Sequence, residues 1–176
     1  MGASGWWYRV GYQADVGAAL RELQAAVFES GDYYRVWDEF PEHREAFAGE
    51  LRMMARISAD EFGPDEFDTS LIDGLDGTGP PGTIDQARMW SVDSGTHSIL
   101  DVAKVSDAAE LGAVSPLESD VAVRLFGTDR PSVADVEARQ ADLELTPAIE
   151  RWTGRYVVAH ENGAPAAIFF FGYSGD

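Results

Sequence analysis

Three histidines, His43, His97 and His160, supply the side chains suited to proton transfer near neutral pH. His97 sits in Ser94-Gly95-Thr96-His97-Ser98, a small polar turn that leads straight into the apolar segment Ile99–Val105. Asp101 interrupts that segment, which places a carboxylate on a face that is otherwise apolar. His160 ends the first arm of a C-terminal hairpin and is followed by Glu161. If the Ile99 segment and the hairpin are neighbours, His97, Asp101 and His160 converge. An aspartate orienting an imidazole then performs general acid and base chemistry, with Tyr8 and Tyr173 as hydrogen-bonding neighbours. The competing reading is structural: Asp101 accepts hydrogen bonds from nearby N–H groups, and His97 caps a turn. Structural networks perturb buried acids as often as catalytic ones do, so the enzyme reading ranks second.

Further chemistries find less support. His43 lies among Glu42, Arg44 and Glu45, as a solvated helix residue would, and no histidine pair has the spacing of a metal site. No metal and no cofactor is expected. Gly77-Thr-Gly79-Pro-Pro-Gly82 matches G-x-G-x-x-G, but its prolines remove N–H donors and no strand precedes it, so it reads as a loop. Gly172-Tyr-Ser174-Gly-Asp lacks the strand–turn–helix setting of a nucleophile elbow. With no cysteine there is no thiolate nucleophile, disulfide or iron–sulfur ligand.

Charge directs attention to partners. The 176 residues hold 13 Lys+Arg against 31 Asp+Glu, a net charge of −18, and Lys104 is the one lysine. Binding to nucleic acid or to anionic membranes rests on clustered cations, so neither is expected. Between Ile57 and Ala87 stand Asp60, Glu61, Asp65, Glu66, Asp68, Asp73, Asp76 and Asp85 with no Lys or Arg among them. Asp65, Glu66 and Asp68 are the candidate binding residues of this one-signed stretch, which would steer a basic protein partner. Solubility or adaptation to high salt would equally produce an acidic chain. The start of the chain has no basic and apolar leader, and no apolar run approaches a membrane span. A cytoplasmic location is therefore expected. An acidic binding or regulatory protein, of the kind that neutralises a toxin, suits these features.

The elements that position these groups follow from periodicity. Trp6–Tyr12 alternates as a strand. Val16, Leu20, Leu23 and Val27 form one stripe of a helix over Ala14–Glu29, with Gly31 beyond its end. A second helix follows Pro41 toward Ile57, and the acidic stretch from about 57 to 87 is an excursion, helical around Phe67–Leu75. Thr83-x-x-Gln86 opens a short helix to Trp90, and Ile99–Val105 reads as a strand. Ser115-Pro116-x-Glu118 predicts a helix start running to Leu125, with further helices at Val133–Leu143 and Pro147–Trp152. Asn162-Gly163 joins Tyr156–His160 to Ala166–Tyr173 as a hairpin, whose second strand is apolar on both faces and hence central. The pattern predicts an α+β single domain, residues 1–176, with an antiparallel or mixed sheet of at least four strands and helices packed on it.

Three segments, Trp7-Tyr8…Tyr12-Gln13-x-Asp15…Val27-Phe28-x-x-Gly31-x-Tyr33, Gly95–Asp101 and Ile168-Phe169-Phe170-x-Gly172-Tyr173-Ser174, carry a resemblance. They resemble a small uncharacterised bacterial protein family common in actinobacteria. The resemblance spans most of the chain and brings no assigned activity. It implies a bacterial cytosolic protein in which the Gly95–Asp101 and C-terminal segments form one shared site or interface.

Overall fold

A computed structural model describes residues 4–39, 41–63, 69–72, 75, 79–140 and 149–175, with Leu71 and Ile72 described by backbone alone. Asp65, Glu66 and Asp68 lie outside the described residues, as do Phe67, Asp73, Gly74 and part of the glycine-proline loop, while within the segment expected to be helical around Phe67–Leu75 the residues Thr69–Ile72 form a 3₁₀ turn. The chain divides into two compact units, Met1–Tyr33 with Asp93–Asp176, and Tyr34–Val92.

The first unit is built on a five-stranded mixed sheet with helices packed on it, which is an α+β fold. Its strands are β1 (Gly5–Gly11), β2 (Lys104–Val105), β3 (Ala113–Pro116), β4 (Thr153–Glu161) and β5 (Ala164–Tyr173), in the spatial order β1-β5-β4-β3-β2. β5 is antiparallel to both β1 and β4, whereas β2, β3 and β4 run parallel. The hairpin expected from Asn162-Gly163 is present, and both turn residues have positive φ, 51° and 80°.

Register assigns the faces. Trp7, Phe169, Phe171, Val157 and Ala159 share one face. It is covered by α5 (Ser119–Phe126) and α6 (Val133–Ala138) through Val121, Ala122, Val133 and Val136, joined by Leu117 just before α5. On the other face lie Trp6, Tyr8, Phe170 and Ile168. That side belongs to the segment around Ile99–Asp101, a single 3₁₀ turn against which α1 (Val16–Ser30) packs. Phe169, Phe170 and Phe171 are each no more than 1% exposed, so β5 is apolar on both faces and covered on both.

Trp6 shows why two glycines stand where they do. It pairs with Gly172, which pairs with Gly154. A Cβ at Gly172 would lie 2.3 Å from the Trp6 ring, and one at Gly154 would lie 2.6 Å from it. The indole therefore lies across three strands, over a floor that has no side chains.

Several local signals are overridden by tertiary pairing. Ile99–Val105 is not one strand: Ile99–Asp101 is a 3₁₀ turn, and only Lys104–Val105 joins the sheet. Side chains capture its backbone groups. Ser98 Oγ accepts from Leu100 N–H at 3.2 Å, and the buried Gln24 amide donates to the Ile99 and Val102 carbonyls at 3.2 and 2.6 Å. Ser115-Pro116 does not open a helix either. Those residues end β3, in register with Arg155 and Tyr156, and α5 begins at Ser119 without a side-chain cap. The expected helix at Val133 ends at Ala138 with Arg139 as its C-cap, and residues 141–143 of its expected extension lie outside the described residues. Of Pro147–Trp152, the described Ile149–Trp152 is not helical and leads into β4.

In the second unit, α2 (Val36–Glu39), α3 (Arg44–Phe62) and α4 (Ile84–Trp90) surround a small core of Ala48, Leu51, Leu75 and Trp90. Arg44 holds the acidic excursion from inside. Its guanidinium donates to the Leu75 and Gly79 carbonyls at 2.6 and 2.8 Å and stacks 4.9 Å from the Trp90 ring. Thr83 caps α4 as its sequence implies, accepting from Gln86 N–H. The Gln86 side chain then ties Gly82 to Ser70.

Burial of β5 sets a direct test. Truncating one core phenylalanine costs about 3–5 kcal/mol, against a total stability of about 5–15 kcal/mol. Removing residues 165–176 deletes a strand bonded on both edges, so the shortened chain is expected to lose its cooperative thermal transition in calorimetry. A soluble truncate that melts cooperatively overturns the central role given to β5.

Candidate functional site

The polar turn singled out by sequence closes on the exit of β5. Gly95 takes φ +84°, and a Cβ there would lie 2.8 Å from Asp101 Oδ2 and 3.0 Å from the Ser174 Cβ, so both backbone and space require glycine. That close approach seats the Asp101 carboxylate against the C-terminal segment. Its Oδ1 accepts from Thr96 N–H at 2.6 Å and from Thr96 Oγ1 at 2.8 Å, while Oδ2 accepts from Ser174 Oγ at 2.5 Å. Thr96 Oγ1 and Ser98 Oγ are 2.8 Å apart. Thr96, Ser98 and Ser174 are fully buried, and Asp101 is 8% exposed.

Tyr8 completes the row from β1. The Ser98 hydroxyl and the Ile99 backbone hydrogen-bond to its phenol. Burial, followed by the nearby Asp32 carboxylate, holds the Tyr8 pKa above the ordinary tyrosine value. Tyr8, Ser98, Thr96, Asp101 and Ser174 thus form one line of hydrogen bonds from the first strand to the last. A carboxylate with three short internal donors acts as an anchor: it fixes the turn to the sheet and is engaged on both oxygens.

The remaining candidates are placed elsewhere. His97 is half-buried beside this network in a left-handed conformation, φ 51°. His160 is not part of it. It pairs with Pro165 at the opposite end of β5, nine positions from Ser174, a separation of roughly 30 Å at about 3.3 Å per residue. Its N–H donates to the Pro131 carbonyl at 2.9 Å. The three-residue convergence fails because the Ile99 segment meets β5 at its exit, not at the hairpin turn. Tyr173 faces the α5–α6 side, by register opposite to Tyr8. The one aromatic side chain that joins Asp101 in this line is therefore Tyr8. Among the described residues, no three histidine or acidic side chains are grouped to hold a metal ion, and no helix is long and apolar enough to cross a membrane.

A second polar feature escaped the sequence. A cavity of about 270 Å³ is lined by Ala109, Glu110, Leu111, Glu150, Thr153 and Arg155. Arg155 is 3% exposed and lies 3.4 Å from Glu118. Hydrogen bonds from Lys104 and then Ser106 lower the Glu110 pKa. The signal for Arg155 was available: in Thr153-x-Arg155-x-Val157-x-Ala159, alternation puts arginine on an apolar face, but only if the strand begins at Thr153. Thr96 stood in the polar turn, and Ser174 in the C-terminal segment that the resemblance joins to it, but their meeting on Asp101 depends on the turn reaching the strand exit.

No protein family, curated protein or solved structure was found to match the chain. What the site does is therefore argued from its own geometry.

Two measurements check that geometry. Ser174→Ala leaves Asp101 Oδ2 without its donor and is expected to cost about 1.5–3 kcal/mol in urea unfolding; a change within error overturns the anchor. Tyr8 and Tyr156 both have raised pKa values, Tyr156 through burial first and Asp107 second. A raised folded-state pKa contributes stability that is complete below the ordinary tyrosine value near 10 and is lost as pH rises through the folded value. Ultraviolet titration should therefore show a late phenolate phase that loses amplitude in Tyr8→Phe. A late phase of unchanged amplitude contradicts the placement of Tyr8.

Proposed function

We propose that the protein is an acidic binding or regulatory protein, of the toxin-neutralising kind, that acts through contact with a basic protein partner. One observation carries this reading: several of the chain's cations are engaged by the chain itself. Arg9, Arg35, Arg88 and Lys104 each reach a carboxylate at 2.6–2.7 Å, to Glu137, Asp38, Asp85 and Glu110. Arg44 is turned onto carbonyls and the Trp90 ring. The acidic surplus is left to the surface, where Glu42, Glu45, Glu50, Asp60 and Glu61 are exposed along the second unit. In that unit thirteen acids face five arginines, and from Ile57 to Ala87 no base appears. A field of one sign accelerates encounter with an oppositely charged partner and screens out like-charged ones. An intracellular, bacterial setting belongs to the same proposal.

An acid/base enzyme or ligand binder built on His97, Asp101 and His160 has less support. Asp101 is engaged on both oxygens, and His160 stands at the far end of the sheet.

Cross-linking in the source cells identifies the partner, and association kinetics then test the charge. Asp65→Lys, Glu66→Lys and Asp68→Lys together should slow association about tenfold or more at low ionic strength and flatten its salt dependence. Association indifferent to both the substitutions and salt overturns the reading and leaves the acidity a matter of solubility.

A further inference from the structure

The two edges of the sheet are treated differently. β2 is only two residues long and carries the exposed Lys104, so that edge is blunted by shortness and charge, and α1 packs against it. β1 has seven residues, no proline and no bulge, and its single charge, Arg9, is neutralised by Glu137 at 2.6 Å. Proteins normally blunt an exposed edge with shortness, charge, proline or a bulge, and β1 carries none of these in effect.

Register tells which backbone groups that edge offers. Tyr12 N–H donates to the Ala166 carbonyl at 3.1 Å, and Ser174 N–H donates to Ser4 at 3.0 Å. Bonded pairs alternate along an antiparallel ladder, so Ser4, Trp6, Tyr8, Val10 and Tyr12 turn their backbone toward β5. Gly5, Trp7, Arg9 and Gly11 turn theirs outward, and among the described residues none bonds to those outward groups. Gly5, Arg9 and Gly11 are exposed and Trp7 is half-buried.

Charge selects the occupant. A strand laid along β1 sends alternate side chains to the two faces of the sheet. On the Arg9 face Glu137 is already paired with Arg9, so that pair adds no net charge beside the edge. On the Tyr8 face Asp32 is close enough to act on the phenol. A second copy of this chain brings a further net charge of −18 to the same place, whereas a segment rich in lysine or arginine is attracted by the −18 of this chain and meets Asp32 on the Tyr8 face. We infer that the outer edge of β1 receives an extended, basic segment of the partner as a sixth strand, bonded to the backbone of Trp7 and Arg9. This rests on the proposed binding function and names the surface through which it works.

The test uses the full chain and a short synthetic peptide of alternating lysine and valine. Two control peptides accompany it, one N-methylated at alternate residues and one with glutamate in place of lysine. Amide exchange by NMR should show Trp7 and Arg9 exchanging fast in the free protein and slowed about tenfold or more by the basic peptide, with neither control having that effect. Arg9→Pro removes an outward N–H without touching the β5 ladder, a position where an edge strand tolerates proline. It should weaken the peptide about tenfold, the worth of one backbone hydrogen bond, while Arg9→Ala, which keeps the N–H, should not. If Arg9→Pro does not fold, the exchange data still decide. Unprotected Trp7 and Arg9 amides, equal protection by the glutamate peptide, or protection that grows with protein concentration alone overturns the inference. The last outcome would make a second copy the occupant. Unprotected edge amides together with charge-dependent partner association would defeat the edge assignment and leave the proposed function standing.

Discussion

Strand β5 has to be satisfied on four sides, and the first unit is arranged around that demand. Its backbone is bonded to β1 on one edge and β4 on the other, and Ile168–Phe171 carry apolar groups to both faces. Each face therefore needs a cover. The α5–α6 layer supplies one, and the turn around Ile99 supplies the other. The glycines at 154 and 172 answer the same demand, since only a floor without side chains lets the Trp6 indole lie across the strands.

The Asp101 network follows from this arrangement. A turn used to cover a sheet must dispose of its own backbone groups without a ladder partner. Ser98 and Gln24 take those of Ile99, Leu100 and Val102, and Asp101 takes the Thr96 N–H. Ser174 then fastens the turn to the strand it covers. The polar residues that look like a reactive cluster in sequence are those that allow an irregular segment to be buried.

What could be read from sequence was what depended on neighbours in the chain. The hairpin at Asn162-Gly163, the stripe of α1, the Thr83 cap and the apolar character of β5 all rest on contacts within a few residues, and all are present. The failures share a cause. Ser115-Pro116 reads as a helix start until β4 lies beside it, and Ile99–Val105 reads as a strand until Gln24 reaches in from 75 residues away. For the site, Gly95–Asp101 was found because its composition is unusual. The resemblance joined the segment ending at Ser174 to that turn without saying which side chains meet, and His160 was grouped with Asp101 because sequence gives no direction along β5 at which the turn arrives.

The order of the sheet also governs when it can exist. Among the described strands β1 is the first made and β5 the last, yet β5 is the only described neighbour of β1. A chain emerging from a ribosome must hold Trp6, Trp7 and Tyr8 unpaired while more than 150 residues follow, until Ala164–Tyr173 has been synthesised. Non-local pairing of this kind is slow, and an apolar strand kept waiting is open to wrong partners. The surrounding acidity then acts before folding ends: nascent chains that repel one another are kept apart while the aromatic strand has nothing to pair with.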